Sequence, residues 1–89
     1  MVAIQTKWLG PTDYRGSRVK AFTESRLNVT VHWDHALNVE DNHRAAARAL
    51  AEKMGWDGKW IGGATEHGYA FVQASEWSPW FEVEKKERE

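Results

Sequence analysis

Residues 38–55 read NVEDNHRAAARALAEKMG, and this stretch decides the fold because it carries the chain's one long helical period. Asn38 is a favourable N-cap, since its side-chain carbonyl can accept from the unpaired amides of the first helical turn. Asp41 stands where the reciprocal partner of a capping box belongs. Glu40 and Asp41 put negative charge at the positive end of the helix dipole, and Lys53 puts positive charge near the other end. Gly55 supplies the left-handed residue on which many helices close. On a helical wheel Val39, His43, Ala46, Ala47, Leu50 and Met54 fall on one face, with Asp41, Arg44, Arg48 and Glu52 opposite. The inward stripe is mostly alanine, so the helix can lie close to a sheet, and it has no second apolar face to bury.

Outward from the helix the period changes from 3.6 to 2. Residues 2–9 alternate, with Val2, Ile4, Thr6 and Trp8 on one side and Gln5 and Lys7 on the other. Gly10-Pro11 and Gly16 bracket a turn or loop. In residues 17–23, Val19 and Ala21 face one way and Arg18, Lys20 and Phe22 the other. Residues 27–33 turn Leu27, Val29, Val31 and Trp33 inward and Asn28, Thr30 and His32 outward. Short connections make these three strands an antiparallel meander. Beyond the helix, Trp56-Asp57-Gly58 turns the chain into a strand at 59–63. A second strand at 68–74 follows, and His67-Gly68 is expected to supply a positive φ at the hairpin tip. Ala70, Val72 and Ala74 suit the helix-covered face, leaving Tyr69 and Phe71 for the other. The predicted fold is α+β, ordered β-β-β-α-β-β, with one helix across one face of a mainly antiparallel five-stranded sheet. Residues 1–75 form the single domain and 76–89 an aromatic, then charged, C-terminal tail.

The chain has 89 residues, a formal net charge of −1 and no cysteine. That length allows one modest core. The charge excludes an acidic nucleic-acid mimic and supplies little general attraction for nucleic acid or membrane. The absence of thiols suits a reducing cytoplasm, the expected location. No apolar run approaches the roughly 20 residues of a membrane span.

Four features bear on function. Lys7, Arg15, Arg18 and Lys20, set near Tyr69 and Phe71 on the uncovered sheet face, would track phosphates and stack bases; covering of those aromatics by the tail is the plainer reading. His32, Asp34 and His35, with His43 and His67 elsewhere, match no established metal spacing, so no metal or cofactor is expected. His43 reads as a boundary histidine on the helix. No nucleophile elbow, phosphate loop or paired carboxylate is present, which argues against an enzyme. Finally, Trp77 and Trp80 in the tail and Arg44 and Arg48 on the helix are residue types that anchor protein interfaces. The tail aromatics either fold back over the sheet, meet a partner or lie in a homodimer paired through an edge strand. The charged end of the tail is expected to be disordered.

Three segments taken together resemble a known family. They are Ala3-Ile4-Gln5-Thr6-Lys7-Trp8-Leu9-Gly10-Pro11-Thr12 with Arg15-Gly16-Ser17-Arg18-Val19-Lys20-Ala21, then Asn42-His43-Arg44-Ala45-Ala46-Ala47, then Gly55-Trp56 leading to Gly62-Gly63 and Gly68-Tyr69-Ala70-Phe71-Val72. They resemble a family of small bacteriophage and mobile-element proteins with no assigned activity, over residues 3–74. The resemblance implies an accessory protein acting in a bacterial cytoplasm and carries over no site residues. The element order is also similar to that of some small anti-CRISPR proteins. The expected function is therefore non-enzymatic binding of a host protein or nucleoprotein complex, as an anti-defence inhibitor does. The alternative is a nucleic-acid-binding module.

Overall fold

The computed structural model describes residues 2–74 and 81–84. The strands are β1 (Ala3–Leu9), β2 (Arg18–Phe22), β3 (Asn28–His32), β4 (Lys59–Ala64) and β5 (Gly68–Ala74), with one helix, α1 (Val39–Met54), between β3 and β4. All neighbouring strands pair antiparallel, in the order β3-β2-β1-β5-β4. The α+β architecture expected from the alternating and helical periods is the one observed. β1 is central because β5 returns from the far side of the helix crossover to pair with it. The expectations for Trp77, Trp80 and the end of the tail lie outside the described residues. Among the described residues no helix is long and apolar enough to cross a membrane.

Both helix caps form as the sequence dictates. Asn38 Oδ1 accepts from the Asp41 amide at 2.7 Å, and Gly55, at φ 71°, donates its amide to the carbonyls of Ala51 and Glu52. Asp41 turns outward to Arg44 instead of completing a capping box.

The core is small: Ile4 from β1, Val19 and Ala21 from β2, Phe71 from β5, and Ala46, Ala47, Leu50 and Ala51 from α1. Alanines bring α1 down onto β1 and β2, while Leu27, Val29, Val31 and Trp33 pack against the edge of this cluster. The wheel needs correcting at its margins. Val39 and Met54 are 55% and 36% exposed, whereas Asn42 and Ala51 are buried. The buried stripe is thus rotated toward the positions preceding His43 and following Leu50.

Asn42 is buried because it holds the β3–α1 connection in place. Its Oδ1 accepts from the Asp34 amide at 2.8 Å, and its Nδ2 donates to the carbonyls of Asp34, Leu37 and Asn38. A buried amide with its bonds satisfied costs little, and it ties off backbone groups that the loop would otherwise leave unpaired.

The assignment of β5 to faces is reversed. Register pairs Ile4 with Phe71 and Thr6 with Tyr69, so Tyr69 and Phe71 lie on the helix side. Phe71 is 6% exposed, and Val72 faces away. Large rings are needed there because α1 is centred over β1–β3 and draws away from β5, leaving a gap that alanines cannot fill. The Phe71 ring covers Gly62 on β4, where an added Cβ would collide with it. Gly68 does not take a positive φ, either. It is inside β5, and a Cβ there would strike the Thr6 carbonyl, so close approach of two backbones is what requires glycine.

Candidate functional site

The helix stops short of β4, and this opens a groove of about 450 Å³ on the helix side of the sheet. Its walls and floor are Ala47 and Ala51 of α1, Trp56 from the following turn, Trp60 and Gly62 of β4, and Phe71. Trp56 and Trp60 are half-buried, with ring centroids 6.4 Å apart and planes tilted by 35°. Gln73 Nε2 donates to the Asp57 carbonyl and holds the turn carrying Trp56 against β5. Sequence reading placed no function on Trp56 or Trp60. The signal was present as two tryptophans four residues apart around a glycine turn.

Arg44 and Arg48, expected as partner-binding residues, lie on the rim of this groove. Their charges are already matched within the helix. Arg44 pairs with Glu40 at 3.2 Å and Asp41 at 2.8 Å, and Arg48 with Glu52 at 2.9 Å. These are exposed pairs one turn apart, weak in energy but sufficient to orient the guanidinium groups along the helix. Both rim arginines are therefore already paired, Glu40, Glu52 and Asp57 leave the rim slightly acidic, and the floor is apolar, a combination that suits a hydrophobic anchor better than a phosphate.

The opposite face of the sheet carries a different chemistry. Lys7 stands directly across from Lys20, Leu9 from Arg18 and Arg18 from His32, all turned away from the helix. Lys59 on β4 shares this face, with Ala74 as its partner. None of the five strands contains Asp or Glu. Among the described residues, Lys7, Arg15, Arg18 and Lys20 make no salt bridge. Lys7 Nζ sits 5.6 Å from the centre of the Phe22 ring. The expected partnership of these cations with Tyr69 and Phe71 does not occur, because those rings lie on the far side of the sheet. The aromatic residue near the arginines is Tyr14 instead. Thr12 Oγ1 accepts from the amides of Tyr14 and Arg15, closing a turn that leaves Tyr14 95% exposed.

The histidines separate. His32 is outward on β3, and the Asp34 side chain accepts from the Ala36 amide to shape the loop that includes His35. Among the described residues no three His, Cys, Asp or Glu side chains converge on a metal-sized site. His67 lies 3.8 Å from Glu66 at the exposed β4–β5 tip. His43 is buried, 3% exposed, with Trp33 edge-on at 6.3 Å and Tyr69 at 4.8 Å. Its Nδ1 is 2.8 Å from Thr6 Oγ1, which also lies 3.3 Å from the Tyr69 carbonyl. The hydroxyl bonds Nδ1 as donor or acceptor according to the tautomer of the neutral ring. Burial lowers the imidazole pKa from its ordinary value, favouring the neutral ring.

No protein-family model matches the chain, and comparison with curated proteins and with solved structures returns no match.

Proposed function

We propose that this chain is a non-enzymatic accessory protein of the phage or mobile-element kind that acts by binding a host protein or nucleoprotein complex. The observation that carries the reading is the groove between α1 and β4. Its two tryptophans stand half-exposed over an alanine, glycine and phenylalanine floor, and both rim arginines are paired within the helix. Apolar surface left open in this way gains free energy only when something covers it, at about 25 cal/mol per Å². A protein segment offering one bulky apolar side chain fits the groove, and the slight excess of rim carboxylate favours a segment that is not itself acidic.

The test is affinity capture from a bacterial lysate with the wild-type chain and a Trp56→Ala/Trp60→Ala variant whose fold is checked by circular dichroism. The expected result is a protein retained by the wild type and lost with the variant. Equal retention by both chains would remove the groove from the function. Capture of bare nucleic acid with no protein would sink the reading altogether.

A further inference from the structure

Independently of the groove, we infer that the open sheet face and the β1–β2 loop form a binding surface for single-stranded nucleic acid. The two surfaces lie on opposite sides of the sheet, so neither depends on the other.

The first support is where the charges fall. The whole chain has a formal charge of −1, but its charges are segregated. The helix carboxylates lie on the helix side and are bound to Arg44 and Arg48. Every lysine and arginine within a strand points to the open face, and no strand supplies an acid to neutralise them. Local field, not net charge, decides what approaches a surface. A helix with matched arginines beside a sheet whose cations make no salt bridge among the described residues points to a polyanion on the sheet.

The second support is shape. At the edge of this face Tyr14, Arg15, Gly16, Arg18, Thr30 and His32 enclose a shallow concavity of about 450 Å³. Arg18 Nε donates to the Gly16 carbonyl at 3.3 Å, which holds the guanidinium beside the loop and leaves its terminal nitrogens available. From there the cations continue inward as Lys20 and then Lys7 across the β1–β2 pair. Same-face neighbours along a strand stand about 7 Å apart, two residues at about 3.4 Å each. That spacing lets consecutive side chains address successive phosphates of an extended backbone.

The third support is the aromatic component. Tyr14 is almost fully exposed next to the arginines, and the half-buried Phe22 lies on the same face beneath Lys7. An exposed ring set among cations is what single strands use, because bases stack on rings while phosphates meet the charges. A duplex hides its bases, and reading one takes a helix or ribbon that enters a groove. This face offers neither.

The experiment is fluorescence anisotropy with labelled dT12 and rU12 strands, a 12-base-pair duplex and labelled poly-glutamate, each across a salt series. Tight binding to either single strand, with weaker binding to the duplex and to poly-glutamate, is expected. Four phosphate contacts at about 0.7 each give a slope of log Kobs against log[salt] near −3. The Arg18→Ala/Lys20→Ala variant should bind at least about tenfold more weakly and reduce the slope by about 1.4. Tyr14→Ala, at a residue 95% exposed, should lose at least about fivefold. Lys53→Ala, which removes a cation from the helix end, should bind as the wild type does. Absence of single-strand binding would overturn the inference, as would equal affinity for poly-glutamate or for the duplex. Unchanged binding by both face variants would overturn it as well.

Discussion

The buried pair between Thr6 on the central strand and His43 on the helix tests how this small core is locked. Thr6→Val keeps the shape of the side chain and deletes the hydroxyl that is hydrogen-bonded to Nδ1 at 2.8 Å. His43 is 3% exposed and ringed by Trp33 and Tyr69, so water cannot replace the lost partner without opening the interface. An unsatisfied buried donor or acceptor costs roughly 1–3 kcal/mol. For a domain of this size each kcal/mol lowers Tm by about 4–8 °C, so a fall of roughly 5–20 °C is expected. The assay is urea denaturation at pH 7.5, followed by tryptophan fluorescence, on wild type, Thr6→Val, His43→Leu and the double variant. Replacing both partners by apolar groups is far less costly than removing one, so the double variant should be more stable than the two single losses sum to, by at least about 0.5 kcal/mol. Thr6→Val within about 0.3 kcal/mol of wild type, or strictly additive losses, would refute the bond's role in joining helix to sheet.

Three further outcomes follow from the same geometry. Burial lowers the His43 pKa, so the unfolded chain binds the proton more readily than the folded one. Stability is then full above about pH 6.5, the unfolded value, and declines as pH falls below it toward the folded pKa. His43→Leu should lack that part of the slope when denaturation midpoints are compared between pH 7.5 and 5.5. Asn42→Asp keeps size but removes the donor to three carbonyls, and should cost about 2–3 kcal/mol by thermal melting, no less than Asn42→Ala. Gly62→Ala drives a methyl into the Phe71 ring and should cost about 1–3 kcal/mol, with Phe71→Leu in the same chain recovering part of the loss. Failure of that rescue would mean that backbone freedom, not ring contact, requires glycine at 62.

The segment Asn42-His43-Arg44 shows how a local motif divides under tertiary constraint. All three residues are polar and successive, yet Asn42 and His43 are structural and only Arg44 reaches the groove rim. Asn42 closes a loop, His43 locks the helix to β1, and Arg44 is held by its own helix neighbours. The open-face cations have the opposite history. Their outward direction was readable from the alternation of Val19 and Ala21 with Arg18 and Lys20. The aromatic that accompanies them was not, because Tyr14 lies in a loop with no period to read.

What the sequence determines by itself is everything governed by short-range chemistry. Asn38 and Gly55 mark the helix because caps act within four residues. The alternation in 2–9, 17–23 and 27–33 marks the meander because strand side chains change face at every step. The tertiary structure alone decides where α1 rests across the sheet. That placement is set by packing alanines onto Ile4, Val19 and Ala21, a balance among residues far apart in the chain. It sends Tyr69 and Phe71 to the helix side to fill the space beside α1. Among the described residues it leaves the helix side of β4 uncovered, so that Trp56 and Trp60 border a groove. It also leaves the opposite face of the sheet basic and free of strand carboxylates. The helix is encoded locally, but both candidate surfaces exist because of where it lies.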